Sequence, residues 1–166
     1  GMHNVISTVA AGKLFRPRVL WKIKNPYTGA VEKEFSSELL SSFNLSQKSL
    51  DVIREGLARV PLSGTGTYHK HLSSVLIAGK TGSAQNIKAL THSWFTAYGP
   101  IDKPLSEQYA VTVMVESSGH GGSIAVPISS MIFNYLEKKI EPEQALKIIE
   151  SIFKYQEQKS EASVQN

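Results

Sequence analysis

Three short apolar segments, each cut off by turn-forming residues, constrain this chain more than any other feature. Ser74-Val75-Leu76-Ile77-Ala78 is a continuous apolar run of strand length, and Gly79 follows it. Ser93 to Tyr98 is a second such segment, closed by Gly99-Pro100. Tyr109 to Glu116 is a third, with Val111, Val113 and Val115 on one face. The link between the second and third carries Pro100, Asp102, Pro104 and Ser106, which is turn chemistry without room for a crossover helix. Neighbours joined so closely pair antiparallel.

Helical periods flank this sheet. Val5 to Ala11 is small and apolar and stops at Gly12, as a helix C-terminus does. Val19, Trp21 and Ile23 alternate with charged residues, Asn25-Pro26-Tyr27-Thr28-Gly29 turns the chain, and Val31, Lys33 and Phe35 resume the alternation, predicting a half-buried hairpin. Ser46 is the expected N-cap of a helix carrying Leu50, Ile53, Leu57 and Val60 and ended by Pro61. Gly64-Thr65-Gly66-Thr67 reads as a flexible link, not a phosphate loop, because no lysine-bearing helix start follows. Ser123 is the expected cap of a helix with Ile128, Met131, Ile132, Tyr135 and Leu136 facing inward. A last helix is predicted from about Pro142 to Tyr155, with Leu146, Ile149, Ile152 and Phe153 on one side. Trp21 and Trp94 are expected in the core. The fold class is therefore α/β layered (α+β): an antiparallel sheet with flanking helices. Residues 1–155 form the expected domain portion and 156–166 a polar, disordered tail.

Composition removes several function classes. With 41% hydrophobic and 19% charged residues the chain can bury a core, so it is not compositionally disordered. Cysteine is absent, which excludes disulfides, thiolate metal sites and a thiol nucleophile. The net charge of +4 is spread: Arg16, Arg18, Lys22 and Lys24 are followed by Glu32 and Glu34, with no ladder of aromatic and basic residues. A solvated basic surface is expected, not a nucleic-acid groove. No apolar run reaches the roughly 20 residues that span a bilayer, and no signal peptide is visible. The opening Gly1-Met2 is not expected to be a natural start, so 166 residues are expected to be a piece of a longer chain.

Lys80-Thr81-Gly82, following an apolar strand, is the most informative short motif, and its context sharpens it. Small Ser83-Ala84 comes next, and then a hairpin partner that begins His92-Ser93-Trp94-Phe95. The string Ala78-Gly79-Lys80-Thr81-Gly82-Ser83-Ala84-Gln85 resembles the third motif of the penicillin-binding proteins and serine β-lactamases, whose signature set is S-x-x-K, S-x-N and K-T-G. Trp94-Phe95 to Pro100, Tyr109-Ala110-Val111 to Glu116 and the Gly121-Gly122 to Pro127 helix entry extend the resemblance from about Ile6 to Leu136. It is nearest to the C-terminal part of the transpeptidase domain of class B penicillin-binding proteins of the elongation type, penicillin-binding protein 2.

That resemblance implies a β-lactamase/transpeptidase-like fold, part of it in this chain, and a serine acyl transfer on D-Ala-D-Ala stem peptides of peptidoglycan. It implies that Lys80 and Thr81 meet the substrate carboxylate, Gly82 lets the ligand backbone approach, and the Ser83 N–H is an oxyanion-hole donor. It implies no cofactor and no metal. The partners it implies are stem peptide, β-lactams and the cell-wall elongation machinery, at the periplasmic or extracytoplasmic face of the membrane, with the parent anchored by an N-terminal segment outside this chain. The serine nucleophile and lysine base are expected upstream, outside the chain, which would be inactive alone. Ser151-Ile152-Phe153-Lys154 fits S-x-x-K, and Ser42-Phe43-Asn44 fits S-x-N, but both sit in the wrong order or place. His69 and His71 have strand spacing but no third ligand, His92 could line the cleft or brace a turn, and His120 lies in a glycine-rich turn. Alternatives are a fragment of a serine β-lactamase or β-lactam sensor domain, and a structural or interaction module using the terminal helix. Exposed sheet edges are expected to favour pairing between chains.

Overall fold

The computed structural model describes residues 1–42, 46–85, 91–118 and 122–164. In order along the chain it contains α1 (Met2–Ala11), β1 (Lys13–Phe15), β2 (Lys22–Lys24), β3 (Val31–Glu34), β4 (Leu39–Ser42), α2 (Gln47–Ser63) and α3 (Tyr68–Leu72). There follow β5 (Ala78–Gln85), β6 (Thr91–Gly99), β7 (Tyr109–Val115), α4 (Ala125–Leu136) and α5 (Pro142–Val164). The antiparallel sheet is β5-β6-β7, in register from Ala78↔Tyr98 to Gln85↔Thr91 and from Ser93↔Val115 to Gly99↔Tyr109.

Strand alternation gives this sheet two different faces. On one, Phe95, Ala97, Val111 and Val113 pack with Val126 and Phe133 of α4. On the other, Ala78 and Tyr98 pack with Ile6 of α1, and Leu57 and Ala58 of α2 close over them. The result is helix, sheet, helix. Two polar groups inside these layers have clear roles. Ser93, fully buried on β6, accepts from the Ala125 N–H at 3.2 Å and so caps α4 from the sheet. Arg54 of α2 donates to the Val9 and Ala10 carbonyls at 3.1 and 2.9 Å, satisfying the last turn of α1.

Several expectations need correction. The strand does not cover Ser74 to Ile77. It starts at Ala78, and Lys80-Thr81-Gly82 lies within it. Pro61 does not end α2, which continues to Ser63. Proline there forfeits one intrahelical bond, while Gly64 N–H still reaches the Arg59 and Val60 carbonyls. The cap of α4 is not Ser123, since its N-cap is Ile124. Tyr135 and Leu146 face solvent at 52% and 58% exposure, and the packed side of α5 is centred on Ala145. That helix runs on to Val164 instead of stopping near Tyr155. The 22–34 hairpin forms, but Trp21 is 58% exposed and outside the core, with the Lys22 ammonium 4.0 Å from the centre of its ring. Strands β1 and β4, a small antiparallel pair, have no counterpart in the periodicity reading, because each is too short to show alternation.

Candidate functional site

β5 is an edge strand: among the described residues its only sheet neighbour is β6. Lys80, Gly82 and Ala84 share the face turned toward α1 and α2, while Gly79, Thr81 and Ser83 share the α4 face. Lys80 is exposed, and its ammonium donates to the Thr81 carbonyl at 2.9 Å, lying along the strand. Thr81 is half-buried, and its hydroxyl is 2.5 Å from that of Thr65, in the turn after α2. Ser83 is exposed near the far end of the strand.

The glycines of this strand are not equivalent. A Cβ on Gly79 would stand 2.7 Å from both the Ala97 Cβ and the Thr96 carbonyl oxygen, so packing alone requires glycine there. At Gly82 the nearest atom to such a Cβ is the Trp94 Cβ at 3.4 Å, an ordinary contact, and the backbone is not left-handed. Among the described residues, packing does not demand glycine at 82. An open strand edge beside a lysine and an oriented hydroxyl, with a side chain missing where none need be, suits close approach of a ligand backbone that carries an anion.

Thr65 is the residue that sequence reasoning passed over. Gly64-Thr65-Gly66-Thr67 read as a flexible link, whereas the turn is tied into the structure. Gly66 N–H bonds to the Val60 carbonyl at 3.1 Å, and a Cβ at Gly122 would collide with the Thr65 carbonyl. The signal available in the sequence was two glycines bracketing a hydroxyl ahead of the motif.

The other candidates separate. His69 and His71 lie on a helix, not a strand, and point apart: His69 is 3% exposed and His71 is on the surface. His69 Nδ1 lies 2.8 Å from Ser130 Oγ and Nε2 lies 2.7 Å from the Val75 carbonyl. Burial pushes its pKa below the ordinary value, partly opposed by the bond to Val75. His92 Nδ1 accepts from the Ser117 N–H at 3.1 Å, bracing the turn after β7. His120, and with it Phe43 and Asn44 of the Ser42-Phe43-Asn44 string, lies outside the described residues. Ser151 donates to the Lys147 carbonyl at 2.6 Å within α5, which packs on α4. Trp94 is half-buried beside Gly82. Among the described residues no three metal-ligating side chains converge.

The layered fold is that of a penicillin-binding type of transpeptidase domain. Residues 2–134 match the family described as penicillin binding protein transpeptidase domain, and the chain belongs to that family. The match stops inside α4, so α5 lies beyond it. Among individual proteins, the peptidoglycan D,D-transpeptidase MrdA of Haemophilus influenzae is 30% identical over 143 residues, which is 75% of this chain and 21% of that protein. Penicillin-binding protein 2B of Streptococcus pneumoniae strain R6 superposes with a TM-score of 0.67 at 23% identity, over 85% of this chain and 24% of its own. Penicillin-binding protein 2 of Helicobacter pylori, solved in complex with MreC, gives a TM-score of 0.60 at 27% identity, over 81% of this chain and 23% of its own. The chain thus spans about a fifth of the length of the curated relative it matches.

Proposed function

We propose that this chain supplies the substrate-binding strand of a penicillin-binding D,D-transpeptidase of peptidoglycan cross-linking. The observation that carries the reading is β5: among the described residues an edge strand, bearing Lys80 and Thr81, with no packing demand for glycine at Gly82. A stem peptide ending in D-Ala-D-Ala adds to the free edge by backbone hydrogen bonds. Lys80 and the Thr81 hydroxyl meet its terminal carboxylate, and the Ser83 N–H donates to the carbonyl oxygen as it becomes an oxyanion. A serine hydroxyl attacks that carbonyl, the peptide bond breaks, and D-alanine leaves carrying the proton. The amine of a neighbouring stem then takes the acyl group and restores the serine. A β-lactam enters by the same contacts and acylates the same serine.

None of the serines in residues 1–166 is assigned the nucleophile's role, and Ser151 and Lys154 lie on α5, which packs on α4. The reading places the domain at the extracytoplasmic face of the membrane, with anchoring assigned to no segment here; among the described residues no helix is long and apolar enough to cross a bilayer. The MreC complex of the Helicobacter pylori protein supports a partner in the elongation machinery. The test is fluorescent penicillin labelling of the full-length natural polypeptide that carries these residues. Its expected outcome is a covalent adduct weakened by Lys80→Ala and by Thr81→Val, and no adduct on residues 1–166 alone. Labelling that maps to Ser151 would sink the assignment.

A further inference from the structure

His69 is buried beside the sheet and has no part in the chemistry above. Its Nε2 faces the Val75 carbonyl, which can only accept, so Nε2 carries a proton. Its Nδ1 faces Ser130 Oγ, which also lies 2.9 Å from the Val126 carbonyl. With a neutral ring, the single Ser130 proton serves Nδ1 or Val126. A protonated ring would fill all three contacts at once but place a charge among buried groups. The small cavity of about 120 Å³ beside the ring includes Ala58, Pro61 and Leu62 of α2, and among the described residues Lys70 is the one charged residue on its wall. α4 presents Ser130 and has no charged residue between Ala125 and Leu136. Tyr68 and His71 of α3 are exposed, and Lys139, past α4, reaches Ser74. No carboxylate balances a charge at His69 within these contacts, so the neutral ring prevails at neutral pH.

The carbonyl that His69 holds lies just ahead of the ligand-binding strand. From Val75 the chain runs through Leu76 and Ile77 straight into β5. The same stretch is held by Asn134, which takes the Ser73 hydroxyl at 2.6 Å and donates to the Leu72 carbonyl at 2.9 Å, and by Lys139 on Ser74 at 2.8 Å. Among the described residues β5 has a strand on one side only, so its path along the open side depends on how its entry is held. We propose that His69, neutral and protonated at Nε2, is a positioning residue that acts through the Val75 carbonyl to set where β5 presents Lys80, Thr81 and Ser83 to the ligand. This rests on reading β5 as the substrate-binding strand.

The test is the second-order rate of adduct formation with fluorescent penicillin, followed from about pH 5 to pH 8. It uses the full-length natural polypeptide as wild type, His69→Gln and His69→Leu. The Gln amide can donate to Val75 but cannot titrate. His69→Gln is expected to keep the neutral-pH rate within about threefold and to lose the part of the acid-side fall that belongs to His69. His69→Leu is expected to drop about tenfold at neutral pH, as a displaced strand would. If His69→Leu does not fold, the pH profile of His69→Gln decides alone. A His69→Leu protein reacting at the wild-type rate, or a His69→Gln acid limb identical to wild type, overturns the positioning role while leaving the site reading intact. A wild type that forms no adduct overturns both.

Discussion

At the residue scale, two glycines three positions apart make opposite predictions. Gly79→Ala forces a Cβ against backbone and side chain at 2.7 Å, which backbone cannot relieve cheaply, and should cost about 1–3 kcal/mol in denaturant unfolding. Gly82→Ala meets only an ordinary contact at 3.4 Å and should leave stability within about 0.5 kcal/mol. Penicillin labelling of the full-length polypeptide should nevertheless fall about tenfold or more in Gly82→Ala, because the ligand backbone loses its approach. Equal stability losses in the two variants would show that Gly82 serves the fold. Thr65 gives a third case. If the Thr81 hydroxyl donates to the ligand carboxylate, then Thr65 is the donor in their 2.5 Å pair. Thr65→Val should slow labelling about five- to tenfold, the worth of one hydrogen bond, and Thr65→Ser should restore it. Identical rates for Val and Ser would remove Thr65 from the site.

At the element scale, what the sequence disclosed follows from what periodicity can carry. β6, β7, α1 and α4 were legible because each buries a regular face against a partner, as Phe95 and Ala97 do against Val126 and Phe133. Elements with short or unusual faces were not. β1 and β4 are three and four residues long, and α3 presents as polar although His69 is almost wholly buried. The candidate site was half legible: Lys80, Thr81, Gly82 and Ser83 are proposed from a motif, while Thr65 reaches Thr81 across sixteen positions, a separation no local pattern encodes. α3 also carries a pH prediction. Burial holds the folded pKa of His69 below its ordinary 6.5, so the unfolded chain takes up the proton first. The contribution of His69 is complete above about pH 6.5, shrinks as pH falls below that value, and stops changing once pH passes the folded pKa. Thermal unfolding of wild type should therefore lose ground against His69→Gln as pH is lowered from neutrality. A difference in melting temperature that stays constant with pH would show that His69 does not titrate on unfolding.

At the scale of the whole molecule, the three-stranded sheet has two outer strands, and they are defended differently. β5 carries Lys80 and, on the reading above, receives the substrate. β7, Tyr109–Val115, has no charge, no proline and no bulge against β6, and it exposes Tyr109 and Met114 at 41% and 43%. Natural edge strands resist pairing through lysine, proline or a bulge, and β7 uses none of these within its span. A net charge of +4 over 166 residues adds little repulsion between copies. Residues 1–166 should therefore associate through β7, with a sedimentation coefficient that rises with concentration. Met114→Lys places a charge on that strand and should lower the association. A D-Ala-D-Ala peptide should leave it unchanged if, as proposed, the peptide adds to the opposite edge at β5. Dissociation by the peptide, with Met114→Lys without effect, would transfer the contact to β5. In that case two copies and the substrate compete for one strand, and isolated domains would bind ligand less tightly as their concentration rises.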